Sequence, residues 1–275
     1  MNHPFRCPNC KEELLETENG WECSNRHHFD KSHYGYVNLM LANQGRHREE
    51  GDSKESILAR KRFLSKGYYE SLQKALCKEI EKLNLTSLDT FVDVACGEGY
   101  YTNEIARHFP CLSCQGIDIS KQAIIEASKG KNIDHLPNIV YAIGNMDYLP
   151  LLDGSISLLL NCFAPINEGE FARVLRENGY YLRVLPGEKH LLEFKEILYP
   201  EVRLNIEKEK ELKGFSYVGE RRVEETIRVQ KEDLLNLFLM TPYAYKTKEG
   251  QEKALLERPC LDLQISFVIR IYRKD

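Results

Sequence analysis

The sequence predicts an α/β fold: a Rossmann-like, doubly wound sheet preceded by a small N-terminal domain organised around cysteine and histidine. Three observations carry this. A glycine-rich turn, Asp93-Val94-Ala95-Cys96-Gly97-Glu98-Gly99-Tyr100, follows an apolar run and is answered one strand-helix-strand unit later by Gly116-Ile117-Asp118-Ile119-Ser120. From that turn onward, short apolar runs alternate with amphipathic stretches, as a parallel sheet covered by helices requires. Ahead of it, Cys7, Cys10, Cys23 and His27 stand at the spacing C-x2-C-x12-C-x3-H.

The 275 residues, 42% hydrophobic and 29% charged, suffice for one sizeable α/β domain with a small appendage. No run approaches the roughly 18 apolar residues of a membrane span, and the polar N-terminus does not read as a signal peptide. A cytoplasmic protein without membrane contact is therefore expected. Nine cysteines in a reducing compartment are expected as thiols or metal ligands, which the odd count also favours. A formal charge of -4 gives no global attraction to nucleic acid, so any such binding must come from a local patch.

The N-terminal spacing closes a four-ligand tetrahedral site. Three thiolates and an imidazole suit Zn2+, and four protein ligands leave no open position for a catalytic water, so the metal is structural. A segment of roughly 30 residues has too little core to fold alone, and metal binding supplies the folding energy. Pro8 and the Glu18-Asn19-Gly20 turn fit a knuckle and a hairpin around the ion. His28 would give C-x4-H instead, and spacing leaves both histidines open. A second C-x2-C, Cys111-Leu112-Ser113-Cys114, has no answering pair and is expected as two buried thiols.

The domain boundaries follow as 1–40 for a zinc-binding, RNA-recognition module, 41–70 for a linker and basic helix, and 71–275 for the α/β domain. Between Arg26 and Lys66, nine Lys or Arg (Arg26, Lys31, Arg46, Arg48, Lys54, Arg60, Lys61, Arg62, Lys66) face five acids (Asp30, Glu49, Glu50, Asp52, Glu55), a local +4. His33, Tyr34 and Tyr36 are interleaved with this charge, the mixture that phosphate contacts and base stacking use, although a solvated helix face reads the same way.

Strands are expected near 88–94, 112–118, 138–143, 155–161 and 178–184, with helices over 99–108, 120–129, 168–176 and 188–197. Residues 215–229 read as extended, 231–240 as helical and 263–272 as a final strand. Leu88 to Val94 is a buried strand, after which small residues let the backbone turn beside a ligand. Asp118 can accept the two hydroxyls of a ribose. A dinucleotide fingerprint would need a third glycine where Thr102 stands. The acid Asp93 ahead of the glycines suits instead a cofactor with a cationic amino group and no phosphate. The turn thus resembles the cofactor cleft of the class I S-adenosylmethionine-dependent methyltransferase fold, with Asp93, Gly97, Glu98, Gly99 and Asp118 as its cofactor-binding residues. It departs at Ala95, where a glycine is usual; the extra methyl group is accommodated at negative φ and would crowd the methionine part of the cofactor otherwise. Asp147, after the third strand, could accept the adenine amino group or cap a turn. Asn161-Cys162-Phe163-Ala164-Pro165 follows the fourth strand, where a target base should enter. Phe163 could stack on that base or belong to the core, and Pro165 would stiffen the loop.

With these parts in place, nearly the whole chain resembles the bacterial large-subunit (23S) ribosomal RNA (guanine-N1)-methyltransferase family. The resemblance runs through Cys7, Cys10, Cys23, His27, Phe29-Asp30, Tyr34-Gly35-Tyr36-Val37-Asn38-Leu39, Gly51-Asp52-Ser53 and Ala59-Arg60-Lys61-Arg62-Phe63-Leu64. It continues through Gly67-Tyr68-Tyr69, Cys96-Gly97-Glu98-Gly99-Tyr100-Tyr101-Thr102, Ala164-Pro165, Pro186-Gly187-Glu188-Lys189-His190-Leu191 and Met240-Thr241-Pro242-Tyr243-Ala244. It implies His27 as the fourth zinc ligand, cofactor contacts from Tyr69, Gly97, Glu98 and His190, and a homodimer whose zinc modules help to grip a hairpin of 23S ribosomal RNA. The implied reaction moves a methyl group to guanine N1. Asp147, Phe163, Pro165 and His190 are the catalytic candidates by location, and Glu168 is a further candidate base. Two other readings keep parts of the pattern: a methyltransferase acting on another RNA or a small molecule, and an inactive zinc-containing RNA-binding protein whose cofactor pocket is lost through Ala95. Replacing Cys7 and Cys10 by serine is expected to unfold the N-terminal module and impair RNA binding while sparing most cofactor affinity; equal loss of both would mean that the module supports the catalytic core directly.

Overall fold

The structure is a computed structural model that describes residues 3–41, 52–206, 210–247, 250 and 252–275. Arg46, Arg48, Glu49 and Glu50 of the basic segment, Gly51, and the charged run 207–209 lie outside the described residues. The N-terminal domain is a small antiparallel sheet of β1 (Leu14–Glu16), β2 (Gly20–Cys23) and β3 (His28–Asp30). After the short β4 (Val37–Asn38) come the helices α1 (Lys54–Ser65) and α2 (Glu70–Glu81). Then β5 (Thr90–Val94), α3 (Tyr100–His108), β6 (Ser113–Asp118), α4 (Lys121–Ile133) and β7 (Ile139–Ile143) alternate. They are followed by β8 (Ile156–Cys162), α5 (Glu168–Val174), β9 (Leu175–Pro186) and α6 (Leu192–Leu198). The chain closes with β10 (Phe215–Gln230), α7 (Lys231–Met240), the one-turn helices α8 (Tyr243–Lys246) and α9 (Lys253–Leu256), and β11 (Cys260–Lys274).

Eight strands form one sheet in the order β10-β11-β9-β8-β5-β6-β7-β4. The six from β9 to β4 are parallel, and β11 and β10 add an antiparallel ribbon. Strand order reverses between β5 and β8, and in open α/β sheets the crevice beyond the carboxyl ends of such strands binds ligands. All of β5 is buried and its side chains alternate between faces: Phe91 packs on one, Val92 and Val94 on the other. A parallel sheet must be covered on both faces. On the first face lie Phe63 of α1, Leu72 and Leu76 of α2, Ile105 of α3, Ile124 of α4 and Leu234 of α7. On the second, α5 supplies Phe171, Val174 and the partly buried Ala172, and the rest of the cover includes Phe5, Leu14 and Trp21 of the N-terminal domain. The zinc module therefore stands where a conventional doubly wound fold has helices. It is attached by backbone too, through Leu152 N donating to Pro4 O at 2.9 Å and Arg6 N donating to Pro150 O at 2.9 Å.

Most expected elements form within a few residues of where the pattern puts them. Three differences have physical causes. Helix α2 goes unread in the sequence because its apolar stripe of Leu72, Leu76 and Ile80 lies inside a highly charged stretch. The chain assigned to the zinc module and its margin enters the main sheet, where β4 pairs with β7. Leu88, expected to start β5, is 92% exposed, because the ladder with β6 begins at Thr90. Among the described residues no helix is long and apolar enough to cross a membrane.

Candidate cofactor cleft and zinc centre

Three of the five residues from Ala95 to Gly99 hold the left-handed conformation: Ala95 at φ 60°, Gly97 at 56° and Gly99 at 79°. The two glycines adopt it without strain. At Gly99 there is also no room for a side chain, since a Cβ would lie 2.5 Å from Tyr141 Oη and 2.9 Å from Ala127 Cβ. The condition under which Ala95 fits easily, a negative φ, is not met. The alanine carries a strain of about 1 kcal/mol, and Phe163 (φ 58°) and Leu191 (φ 54°) share this backbone state around the same cleft. Non-glycine residues held this way cluster at functional sites. Ala95→Gly should raise thermal stability by the equivalent of about 1 kcal/mol, readable as a rise of a few degrees in the melting temperature.

The turn brings three acids together. Asp118, at the end of β6, accepts Gly97 N–H at 2.9 Å on Oδ2 and Ser120 N–H at 2.8 Å on Oδ1. Asp93 is 1% exposed; its Oδ2 accepts Thr102 Oγ1–H at 2.6 Å, while its Oδ1 is buried without a hydrogen-bond partner among the described residues. Glu98 is buried, with Oε2 lying 3.9 Å from Arg60 Nη1. Burial pushes the Asp93 carboxyl up to about 7, against the Thr102 hydrogen bond and with help from the charges of Asp118 and Glu98. Glu98 and Asp118 are raised as well, burial again being the main cause. Arg60 of α1 is the cation nearest to hand and is shared with Asp52. A site so arranged is short of positive charge and holds an unused acceptor. It fits the ammonium and sulfonium of S-adenosylmethionine and would repel a pyrophosphate.

Tyr69 and His190, 121 residues apart, meet here: Tyr69 Oη lies 3.5 Å from His190 Nε2, and both rings pack on Phe267. Ser266 N–H donates to His190 Nδ1 at 3.3 Å, which puts the ring proton on Nε2. Burial, with Lys195 nearby, brings the His190 pKa down to about 3, so the ring is neutral. Asp147 is exposed in a one-turn helix at the rim after β7, its Oδ1 accepting from Asn167 Nδ2 at 3.1 Å; the turn is capped by Asn145. Glu168, in the first turn of α5, is engaged by Lys213 N–H at 3.0 Å. Phe163, just beyond β8, is 43% exposed and packs at ring-centroid distances of 6.5 Å from Tyr101 and 5.6 Å from Phe267. With Pro165 it walls a cavity of about 340 Å³ beside the ends of β8 and β9.

Two residues stand in this cleft in roles that their motifs did not assign. Arg60 sits on a helix distant in sequence. Asn161, whose Nδ2 donates to Val94 O at 3.1 Å while Oδ1 is buried without a hydrogen-bond partner among the described residues, ties β8 to the strand before the turn. The signal for Asn161 is a lone amide at the end of an otherwise apolar strand.

In the N-terminal domain the ligating atoms of Cys7, Cys10, Cys23 and His27 all lie within 4.8 Å of one another. Cys7 Sγ and Cys23 Sγ are each 3.5 Å from His27 Nδ1, and Cys10 Sγ is 3.5 Å from Cys23 Sγ. Separations near this value are what a tetrahedral zinc with sulfur at about 2.3 Å requires. His28 points away, toward Glu22 at 3.8 Å and Asp30 at 3.3 Å. The second C-x2-C departs from expectation: Cys114 is buried in β6, but Cys111 is exposed ahead of it.

The basic segment also differs from its sequence reading. Lys31 pairs with Glu16, Lys61 with Glu126, and Arg60 with Asp52 and Glu98, so these cations are spent within the fold. Tyr36 is buried and unavailable for stacking, whereas Arg26, Lys54, Arg62 and Lys66 remain exposed.

Residues 5–48 match the family model described as "RlmA, N-terminal", and residues 91–183 match a "Methyltransferase domain". A 23S rRNA (guanine(748)-N(1))-methyltransferase of Streptomyces fradiae is 30% identical over 88% of this chain and 85% of its own length. A protein of Micromonospora griseorubida, provisionally named a 23S rRNA (guanine-N(1)-)-methyltransferase, is 27% identical over 98% of this chain and 96% of its own. Among solved structures, geranyl diphosphate C-methyltransferase from Streptomyces coelicolor A3(2) is similar at a TM-score of 0.47 and 15% identity, over 74% of this chain and 76% of that one. On the length and identity of the Streptomyces fradiae match, the chain belongs to the 23S ribosomal RNA (guanine-N1)-methyltransferase family.

Proposed function

We propose that the protein transfers the methyl group of S-adenosylmethionine to N1 of a guanine in a hairpin loop of 23S ribosomal RNA, as a cytoplasmic homodimer with structural zinc in each subunit. The observation that carries this reading is the cleft at the strand-order reversal, where Asp93, Glu98 and Asp118 surround a turn suited to a cationic cofactor, with a cavity walled by Phe163 beyond the end of the neighbouring β8. When bound, S-adenosylmethionine supplies the electrophilic methyl group. In this reading Asp93 Oδ1 holds the cofactor's amino group, Asp118 its ribose, and Tyr69 and His190 close the cleft against water. Holding acceptor and donor in line supplies much of the acceleration of such a displacement.

Neutral guanine carries a proton on N1, which must leave before or during attack. His190 is ill suited to take it at neutral pH, since its Nδ1 is occupied by Ser266 N–H and its pKa is about 3. Glu168 is held by the Lys213 backbone. Asp147, exposed at the rim, is the candidate left, and it or solvent receives the proton. Because N1 lies on the pairing edge, the guanine is presented from an unpaired loop or flipped from its stack. Purified protein with S-adenosylmethionine and bacterial 23S RNA should yield N1-methylguanosine, detected by nucleoside mass spectrometry and placed by a primer-extension stop. No product above background, with cofactor binding verified, would overturn the assignment. Light scattering on the purified chain checks the dimer.

A further inference from the structure

The cavity beside Phe163 contains more charge than the methyl-transfer reading uses. Its walls include Phe163, Ala164 and Pro165 from the loop after β8, Leu185 of β9, and Val268 and Arg270 of β11. Side chains alternate across a strand, so Arg183, two residues before Leu185, is on the same side of β9 as that wall. Arg183 and Arg270 are partners in the β9–β11 register, and Arg183 is also the register partner of Asn161 on β8. The row across the sheet thus reads Glu220, Arg270, Arg183, Asn161. Both guanidinium-bearing residues are almost fully buried, at 3% for Arg183 and 1% for Arg270.

Glu220 balances one of them, its Oε2 lying 3.5 Å from Arg270 Nε. No acid flanks Arg183 in the row, and its Nε has no hydrogen-bond partner among the described residues. A buried cation without a counter-charge is costly, so a fold that keeps one beside a cavity is arranged for an anion from outside. The planar fork of arginine matches an oxyanion in particular.

We infer that this cavity is the seat of the acceptor nucleotide, with Phe163 against the base and the Arg183–Arg270 pair receiving an oxyanion of that nucleotide. This rests on the guanine-methyltransferase reading and gives its acceptor site a location and a charge. Two oxygens of one nucleotide have the required chemistry. One is the phosphodiester. The other is guanine O6, which gains negative charge as N1 loses its proton; a fixed cation there would ease that deprotonation.

Arg183→Met removes the cation and keeps the bulk of the side chain. In zinc-loaded full-length protein, its kcat/KM for the 23S RNA hairpin should fall roughly 10- to 100-fold, with S-adenosylmethionine affinity and melting temperature close to those of the wild type, and Arg183→Lys should recover part of the loss. Direct titration with guanosine and guanosine 5′-monophosphate separates the two oxygens. Weaker binding of the monophosphate alone assigns the phosphodiester. Weaker binding of both, together with a pH–kcat profile displaced to higher pH, assigns O6. A kcat/KM within twofold of the wild type overturns the inference, as does a parallel fall in cofactor affinity and melting temperature that lysine fails to restore, which marks Arg183 as structural. If the wild-type protein methylates no guanine in 23S RNA, the proposed function fails, and the nucleotide titrations still decide the cavity.

Discussion

Replacing Cys7 and Cys10 by serine should destabilise the α/β domain as well as the N-terminal module. Zinc binding to small cysteine- and histidine-ligated segments is worth about 10–16 kcal/mol in isolated peptides, and it is the folding free energy of such segments. Here the folded module is also part of the cover of one sheet face. Phe5 and Trp21 pack in the same buried cluster as Val92, Val94 and Ile117 of the central strands and Leu149 and Leu151 of the β7–β8 connection. Losing the metal exposes those strands to water, and a parallel sheet with one open face is not a stable arrangement. We expect a loss of several kcal/mol in global stability, a fall of roughly 10 °C or more in melting temperature for a chain of this size, and weakened cofactor binding along with weakened RNA binding. Chelation of zinc from the wild-type protein should reproduce it. Thermal melting with and without chelator, followed at a probe in the α/β domain, makes the measurement. An unchanged melting temperature there would mean that the module is autonomous, as its sequence alone suggests.

Asp93→Asn should separate stability from binding. The carboxyl is raised from its ordinary 3.8 to about 7 by burial in the cofactor-free protein. Its ionisation therefore costs folding stability: that cost is absent below the unfolded value, grows as pH rises from about 4 to about 7, and is constant above. Asparagine carries no such cost and can still accept the Thr102 hydroxyl, so the variant should be at least as stable as the wild type above neutral pH. Cofactor affinity should move the other way. A carboxylate facing an ammonium makes a charge-assisted hydrogen bond, and its loss weakens binding roughly 10- to 100-fold. The wild type should also bind S-adenosylmethionine less well as pH falls below about 7, because the protonated acid must release its proton on binding; the variant should lack that dependence. Calorimetry at pH 6, 7 and 8 on both proteins reads all of this. Equal affinities would remove Asp93 from the cofactor site.

Local chemistry explains what could be read in one dimension. The turn from Asp93 to Gly99, the answering Asp118 and the four zinc ligands are each defined by a few residues at fixed spacing, and the chemistry they serve demands that spacing. Strand and helix alternation was legible for the same reason: burial on a sheet imposes periods that a sequence must display. Helix α2 was missed, its stripe of Leu72, Leu76 and Ile80 lying among Glu70, Lys74, Lys78, Glu79 and Glu81.

Charge and backbone state are another matter. The +4 of the basic segment overstated what is free to meet RNA, because Lys31, Arg60 and Lys61 find acids at Glu16, Glu98 and Glu126, which no local pattern pairs with them. Ala95 was expected to need a negative φ and has a positive one, held by a turn whose shape is set by Asp118 on the next strand. Tyr69 with His190, and Arg183 with Arg270, are each brought together across a long stretch of chain. The sequence by itself determined the fold class, the cofactor, the metal and the family, because each is written in short-range spacing. Only the tertiary structure decided that the zinc module completes the sheet's hydrophobic cover and that two buried arginines share one row of the sheet. Those facts depend on which distant residues face each other, and hydrophobic burial and strand register fix that only once the whole chain has folded.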